Sequence, residues 1–523
     1  MPFRKAFAFS LFTAGIMFGQ TNVLTQHNDI ARTGQNLSEF LLTPSSVSSA
    51  NFGKKFTLPV DGQIYAQPLY MSKVAIAGQV HHVVFVATEH DSVYAFDATA
   101  PGAPLWKASL LDAAHGAAPG ATSDPESDTG CADIAGPEYG ITGTPVIDPV
   151  SGTLFVVSLT LENGYPVQRL HALDITTGRE KNGSPTVIAA QVHGTGSGSS
   201  GGILAFDPKW ENQRAGLLLL NGTVYIGYAS HCDSSVWHGW ILGYDAATLL
   251  QTGAFVTTPN GSSSGVWMAG SGLAADVVGG IPRMFPATGN GSFNATAPYG
   301  TNTMNYGDDI LRLDLSNGIH VADAFTPSAQ GIYSFFDLDV GSGGVLVLPD
   351  QFSLTPHLAV QVGKSGAMYL VNRDKLGGYS LLSNAIVQQV STQGLWGMPA
   401  YWNQNVYVWG WLGRMSQFKL TNGRLSTSPV ATGPQLQTSN GSTPSISAYG
   451  FLNGIVWSVD NSGANQVLYA YDANNVANVL WTSAQNAARD AGGPVVKFVV
   501  PTVADGNVFL GSATQLTVYG MLK

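Results

Sequence analysis

Eight short segments of this chain share one strand pattern, and that repeat leaves few folds open. Side chains alternate along each segment, and most copies then turn through Asp, Asn, Thr or Gly. Corresponding positions recur 47 to 77 residues apart. Repeats of about 40–50 residues with Gly-rich turns are typical of propeller blades, so longer intervals indicate insertions. The copies are VYAFDA (93–98), LHALDI (170–175), ILGYDA (241–246), ILRLDL (310–315), MYLVNR (368–373), MSQFKL (415–420), LYAYDA (468–473) and LTVYGM (516–521).

The repeats predict an all-β fold, an eight-bladed β-propeller, with seven blades as the alternative if one copy is a false match. The last copy supplies only three strands, so its fourth strand must come from elsewhere. The segment FTLPV (56–60) is the natural donor, because closing the ring removes an unpaired edge. We therefore expect a single propeller over residues 55–523. Residues 21–54 are polar with few strand signals and are predicted to wrap the outside.

Composition and the first residues indicate an exported protein. Charged residues make up 11% of the 523 residues and the net charge is −10, so a nucleic-acid partner is not expected. Residues 1–20 resemble a signal peptide, since Arg4 and Lys5 precede an apolar run (6–18) too short to span a bilayer. A buried N-terminal helix or strand is the alternative. We expect a secreted or periplasmic protein without a membrane span in its mature chain, in a compartment that permits disulfides.

The repeat and its turns resemble those of the quinoprotein alcohol dehydrogenases, which are eight-bladed propellers. The resemblance extends over nearly the whole mature chain at the level of the repeat. It implies that pyrroloquinoline quinone (PQQ) lies over the central channel, polarised by a bound Ca²⁺. A carboxylate would act as base while hydride passes from a small alcohol or sugar to the quinone.

Two segments resemble parts of that family's cofactor site. FPATGNGSFN (285–294) is similar to its Gly-Thr-Gly-Asn strand end, which implies that Asn290 ligates calcium, as an amide oxygen can. The alternative is a simple Asn-Gly turn. VGKSGAMYLVNRD (362–374) resembles a Lys-Asn-Gly-x-x-Tyr strand pair. This implies that Lys364 hydrogen-bonds a quinone oxygen and stabilises charge arising on reduction; the alternative is a solvated turn lysine.

The segment SFFDLDVGSGG (334–344) resembles the family's Trp-Asp-x-Asp run. The resemblance implies that Asp337 is the catalytic base and a metal ligand. Thr326-Pro327 precedes it, but the His-Asp that follows in the family is missing. Asp337 and Asp339 could instead cap turns or order the loop.

Two further positions are implied by resemblance alone. ASHCDSSVWHGWILGYD (229–245) overlies a segment with a Glu calcium ligand, which places Asp233, or the neighbouring Ser234, at the ligand position. The alignment needs one inserted residue. Trp267 in GVWMAGSG (265–272) is similar to the tryptophan beneath the quinone and would supply a stacking surface. An indole buried between blades is the alternative.

The cysteines depart from the family's pattern. The family often carries two adjacent cysteines before the second blade, but this chain has Gly130-Cys131-Ala132-Asp133 there. Its other cysteine, Cys232, lies in the segment matched to the calcium site. Both would project onto the same rim from neighbouring blades, so we expect a Cys131–Cys232 disulfide in an oxidising compartment.

Two functions stay open at the level of sequence. The first is a PQQ- and Ca²⁺-dependent dehydrogenase of alcohols or sugars. No Walker string and no His-Glu-x-x-His motif occurs. The haem-binding Cys-x-x-Cys-His motif is also missing, so the electrons of such a dehydrogenase would leave through a separate acceptor. The second is a non-catalytic propeller that binds a glycan, a peptide or a protein partner, because fold alone does not establish function.

Overall fold

In a computed structural model that describes residues 22–132 and 136–522, the chain forms eight radially arranged antiparallel sheets. The eight-bladed all-β propeller predicted from the repeats is confirmed. Strands of the first four blades are Leu69–Ile76, Gln79–Ala87, Ser92–Asp97, Trp106–Ser109; Val146–Asp148, Thr153–Glu162, Tyr165–Asp174, Thr186–Val187; Leu218–Leu220, Thr223–Ser230, Trp240–Asp245, Gln251–Val256; and Ala274–Val278, Ile281–Phe285, Ile310–Asp314, His320–Thr326.

The other four blades repeat this arrangement. Their strands are Val345–Val347, Leu358–Val362, Ala367–Asn372, Gln388–Ser391; Ala400–Trp402, Asn405–Val408, Arg414–Thr421, Ala431–Leu436; Ser445–Tyr449, Leu452–Asp460, Val467–Asp472, Val479–Thr482; and Thr502–Ala504, Asn507–Gly511, Gln515–Met521, Phe52–Pro59. Minor strands are Gln35–Asn36, Thr122–Pro125, Glu138–Tyr139, Gln191–His193, Ile203–Ala205, Glu211–Asn212, Gly378–Tyr379 and Arg424–Leu425. The short helices are Ala113–His115, Glu126–Thr129, Gln330–Phe335, Val340–Ser342 and Ala487–Asp490.

The blades pack on each other through both faces of their sheets. This explains why the repeat strands are apolar with little polar alternation: every residue of Leu358–Val362 is buried. Trp409 is fully buried between blades six and seven, where it contacts Tyr469 and Tyr471 edge-on. Trp411 remains 46% exposed. Most of the aromatic side chains therefore form interblade cores.

The eighth blade is completed by a strand from the other end of the chain. Phe52–Pro59 pairs antiparallel with Gln515–Met521, with partners running from Phe52 and Met521 to Pro59 and Gln515. The segment 56–60 singled out in the sequence overlaps this strand, which begins at Phe52. The predicted signal segment, 1–20, lies outside the described residues.

Residues 23–36, here called the axial plug, lie inside the ring. Their backbone oxygens accept hydrogen bonds from the first strands of six blades, and side chains of Arg32 and Asn36 reach the remaining two. Arg32 is fully buried, with its guanidinium donating to the carbonyl oxygens of Leu273, Leu217 and Gln26. This placement differs from the expected outer wrapping, because backbone carbonyls at the axis satisfy the segment's polar side chains.

Antiparallel order determines which loops meet at the candidate site. Successive strands reverse direction, so the loops joining second to third strands share a face with those joining one blade to the next. Asn290, Lys364 and Asp233 lie in loops of the first kind, whereas Trp267 and Asp337 lie in the second. Five of the sequence-selected positions therefore reach the same face of the ring.

Candidate functional site

Two acidic side chains lie in the loop after the short helix Gln330–Phe335. Asp337 has a left-handed backbone (φ 56°) and a side chain that is 70% exposed. The side chain of Asp339 is only 7% exposed. One loop thus provides an accessible carboxylate and a buried one.

Lys364 bridges both carboxylates from the turn between two strands of the fifth blade. Its ammonium lies 2.9 Å from each oxygen of Asp337 and 2.6 Å from Oδ2 of Asp339. Burial opposes the charged form, but the carboxylates of Asp339 and Asp337 outweigh it and raise the pKa of Lys364 above its usual value. Lys364 is therefore a permanent positive charge at the site.

Asn290 supports the same carboxylates from the fourth blade. Its backbone N–H donates to Oδ1 of Asp339 at 2.6 Å, and its side-chain amide donates to Oδ1 of Asp337 at 2.8 Å. Its own Oδ1 is buried and has no hydrogen-bond partner in the described part of the chain. Gly289 permits this approach, since a Cβ there would lie 2.7 Å from Cδ1 of Trp267. Asn290 thus carries an unused oxygen acceptor, as a cation ligand would.

Asp233 lies across the site on the third blade. One of its oxygens is 3.3 Å from the hydroxyl of Ser230. Burial, reinforced by the negative charges of Asp339 and Asp337, raises the pKa of Asp233 to about 6. The preceding residue, Cys232, forms a disulfide bond with Cys131, whose Cα atom is 5.5 Å away. This bond ties the rim of blade three to the loop that enters blade two.

Trp267 forms an aromatic wall with its neighbours. It contacts Trp237 edge-on, with ring centroids 5.6 Å apart. The guanidinium of Arg214 lies 5.2 Å from the ring centroids of both Trp267 and Phe498, a favourable cation–π distance. A planar ligand stacked on this face of Trp267 would require Arg214 to move.

These groups surround two adjoining cavities. The first cavity, about 370 Å³, is lined by Arg214, Cys232, Asp233, Trp267, Ala269, Asp337, Asp339, Ser342, Lys364, Trp396, Asn440, Lys497 and Phe498. The second cavity, about 380 Å³, is lined by Asp233, Ser235, Trp237, Ser262, Ser263, Asn290, Gly291, Ser292, Ser334 and Asp339. Asp233 and Asp339 belong to both. Each volume lies within the usual range for small-molecule sites.

The residues selected from the sequence divide between the two cavities. Asp337, Lys364, Trp267 and Asp233 line the first cavity, whereas Asn290 lines the second. Asn290 remains connected to the first through its hydrogen bonds to Asp337 and Asp339. Within residues 22–132 and 136–522, no three His, Cys, Asp or Glu side chains are grouped closely enough to hold a metal ion.

Sequence reasoning missed several residues that line the first cavity. They share a position four or five residues before the first strand of a blade, in the loops that meet at the axis. This spacing from the repeat could have identified them. They are Arg214, Trp396, Asn440 and Lys497.

Solved structures with this fold include quinoprotein enzymes. The quinohemoprotein alcohol dehydrogenase ADHIIG from Pseudomonas putida HK5 superposes with a TM-score of 0.57 at 13% identity, over 96% of this chain and 80% of that one. The quinohemoprotein alcohol dehydrogenase from Comamonas testosteroni superposes with a TM-score of 0.57 at 13% identity, over 95% of this chain and 80% of that one. A europium-containing methanol dehydrogenase superposes with a TM-score of 0.60 at 12% identity, over 95% of this chain and 98% of that one.

The sequence is much less similar to these enzymes than the fold is. No protein-family model matches it, and no curated protein matches it. The chain has the propeller fold of the quinoprotein alcohol dehydrogenases, and the altered site motifs agree with the missing family match. Among the described residues, no helix is long and apolar enough to cross a membrane.

Proposed function

We propose that the chain is a PQQ-dependent dehydrogenase that oxidises an alcohol or sugar hydroxyl in the first cavity. The observation that carries the proposal is the Lys364 ammonium held between Asp337 and Asp339 beside an aromatic wall. The likeness in fold to quinoprotein dehydrogenases supports it. The fold alone would not, since propellers serve many functions.

The residues of the first cavity suit a planar polyanion. PQQ is an aromatic quinone with three carboxylates, and Arg214, Lys364 and Lys497 line the cavity with positive charge. Trp396 offers apolar ring surface for its planar body, and the covered face of Trp267 would do so once Arg214 moves aside. When bound, the quinone supplies the two-electron oxidant that the chain's own side chains lack.

The side chains would handle the proton. Asp337 is the exposed carboxylate, so it can reach a substrate hydroxyl and accept its proton. The substrate's hydroxyl proton and a hydride from its carbinol carbon are removed together, leaving a carbonyl product. Asn290 holds Asp337 in place, and Lys364 would offer its positive charge to a quinone oxygen if the cofactor were bound.

Calcium fits this site only in part. The unpartnered Oδ1 of Asn290 and the carboxylate of Asp233 are suitable oxygen donors. However, Lys364 already neutralises Asp337 and Asp339, so an added cation would compete with its ammonium. We propose that Asn290, Asp233 and Asp337 would hold the calcium ion.

Export is part of the proposal. The Cys131–Cys232 bond supports a secreted or periplasmic location, because disulfides persist in oxidising compartments. The electrons removed from the substrate would then leave through a separate acceptor.

Cofactor retention tests the proposal. The purified protein is mixed with PQQ, with and without Ca²⁺, desalted, and assayed for quinone absorbance and dye-linked oxidation of alcohols and sugars. We expect stoichiometric PQQ retention and turnover, both lost in Lys364→Met. Lys419→Met, on an exposed strand position of blade six, is the matched control and should retain both. Asp337→Asn should retain PQQ but lose turnover. Failure of the unmodified chain to retain PQQ would refute the proposal.

A non-catalytic binding propeller is the second candidate. It is favoured by the absence of a group of three metal-ligating acidic, His or Cys side chains in the described chain. PQQ retention without turnover on any alcohol or sugar would support this alternative.

A further inference from the structure

The second cavity differs from the first in its chemistry. Its lining contains two carboxylates but no Lys, Arg or His. Serine side chains from three loops and from the short helix Gln330–Phe335 face it instead: Ser235, Ser262, Ser263, Ser292 and Ser334. A cavity lined this way suits a neutral ligand with many hydroxyl groups, since serine hydroxyls both donate and accept.

Most of these hydroxyls are available to a ligand. In the part of the chain that the structure describes, the hydroxyls of Ser235, Ser262, Ser263 and Ser334 bond no other protein group; the recorded bonds of Ser262 and Ser263 go through their backbone. By contrast, Ser264 is buried and its hydroxyl donates to the carbonyl of Tyr306. The serines that face the cavity thus differ from a neighbour whose hydroxyl has a structural partner.

The backbone that carries these serines is held firmly. Ser263 forms backbone bridges with both His238 and Gly291. The backbone N–H of Ser292 donates to the carbonyl of Ser262, and the N–H of Ser262 donates to the hydroxyl of Ser292. A Cβ at Gly261 would collide with Ser292, so glycine there lets the two segments approach. Preorganised hydroxyls bind a ligand at a smaller entropic cost than flexible ones.

The position of the second cavity connects it to the proposed chemistry. Asp233 and Asp339 line both cavities, and Trp237 of the second contacts Trp267 of the first edge-on. A ligand in the second cavity would therefore extend toward Asp337 and Lys364.

We propose that the second cavity binds a neutral polyhydroxylated substrate, a sugar or sugar alcohol, and directs one of its hydroxyls toward the first cavity. This inference rests on the proposed dehydrogenase function for the reaction but not for binding. Short alcohols lack the extra hydroxyls that the serines can bond. A site built around such hydroxyls discriminates strongly against analogues without them.

Calorimetric titration of the protein without quinone tests the binding. The probes are D-glucose, sorbitol, 1-propanol and gluconate. We expect glucose or sorbitol to bind at least tenfold more tightly than 1-propanol. Gluconate should bind at least tenfold more weakly than glucose, because its charge faces Asp233 and Asp339. Equal or no binding of all four probes would overturn the inference.

Serine variants locate the site. Ser262→Ala combined with Ser334→Ala should weaken glucose or sorbitol binding about tenfold, the effect of two lost hydrogen bonds. These hydroxyls have no protein partner, so the fold should be retained, as circular dichroism would verify. Ser428→Ala, on an exposed loop of blade six, is the control and should bind normally. Unchanged binding in the double variant would overturn the inference.

The two proposals can fail separately. Sugar binding without PQQ retention would refute the dehydrogenase while leaving the polyol site intact. PQQ retention with oxidation of 1-propanol at a kcat/KM equal to that for glucose would support the dehydrogenase and refute the polyol site.

Discussion

The axial plug and the first cavity lie close together in the ring, and both place charged groups away from bulk water. Gln26 of the plug donates to the carbonyl of Gly270, whose neighbour Ala269 lines the cavity. In the plug, Arg32 is surrounded by neutral oxygen acceptors that match its fork of donors. In the cavity, Lys364 bridges the carboxylates of Asp337 and Asp339. Burial and the charges of these two carboxylates raise the pKa of the nearby Asp233.

The difference separates a structural role from a functional one. Burying a charge is costly unless hydrogen bonds compensate it, and in the plug the acceptors around Arg32 provide that compensation. The cavity instead leaves two groups incompletely compensated: the Asp233 carboxyl, whose pKa is raised by burial and by Asp339 and Asp337, and the buried Asn290 oxygen, which has no hydrogen-bond partner in the described part of the chain. Such uncompensated groups at the end of a propeller channel favour ligand binding over stability.

Replacing Arg32 should lower the free energy of unfolding more than any other change considered below. Arg32→Met removes the donors to Leu273, Leu217 and Gln26 and leaves buried carbonyl oxygens unpaired. We expect a loss of at least about 5 kcal/mol in the free energy of unfolding, or no folded protein. Denaturant titration measures it, with Arg179→Met at an exposed turn as control. A loss similar to the control would remove the structural role assigned to the plug.

The disulfide beside the first cavity should contribute slightly less than Arg32 to the free energy of unfolding. Cys131 and Cys232 are 101 residues apart, and crosslinking a loop of this length stabilises by about 4.7 kcal/mol in the chain-entropy model. Cys131→Ser with Cys232→Ser should lower the unfolding free energy by that amount and make it insensitive to reductant. Free thiols in a non-reducing peptide map of the native protein would contradict the bond itself.

Lys364 should matter less for stability than for binding. Lys364→Met leaves the buried Asp339 carboxylate without its cation, and we expect a loss of about 2 kcal/mol. Adding Asp339→Asn to this variant should recover most of that stability but not PQQ retention. Additive losses in the double-mutant cycle would show that the two side chains are not coupled.

Ionisation of Asp308 should have the smallest effect on stability, and it should appear as a dependence of the thermal midpoint on pH. Burial, followed by the charge of Asp339, raises the pKa of Asp308 to about 8. A carboxyl group whose pKa is higher folded than unfolded favours folding at low pH, and that contribution is lost as pH rises through about 8. Asp308→Asn should therefore reduce the fall in thermal midpoint between pH 6 and 9. An unchanged pH profile would contradict the raised pKa.

The repeat predicted the blades because strand alternation and turn residues act over a few neighbouring positions. Asn290, Lys364 and Asp337 could be placed near the axis because their segments resemble the cofactor-site segments of the quinoprotein family. The axial plug could not be predicted, since its polar sequence resembles an exposed segment until backbone carbonyls at the axis provide partners. The serines of the second cavity were equally hidden, because isolated serines are ordinary loop residues.

The amino-acid sequence by itself determined the eight sheets, their order and the loops that carry the site. Only the tertiary structure decided which side chains meet, such as Arg214 with Phe498 or Asn290 with Asp337. The physical reason is the distance along the chain over which the interactions act. Strand pairing depends on neighbours in the chain, whereas the cavities form when ring closure brings together residues that are far apart in the sequence.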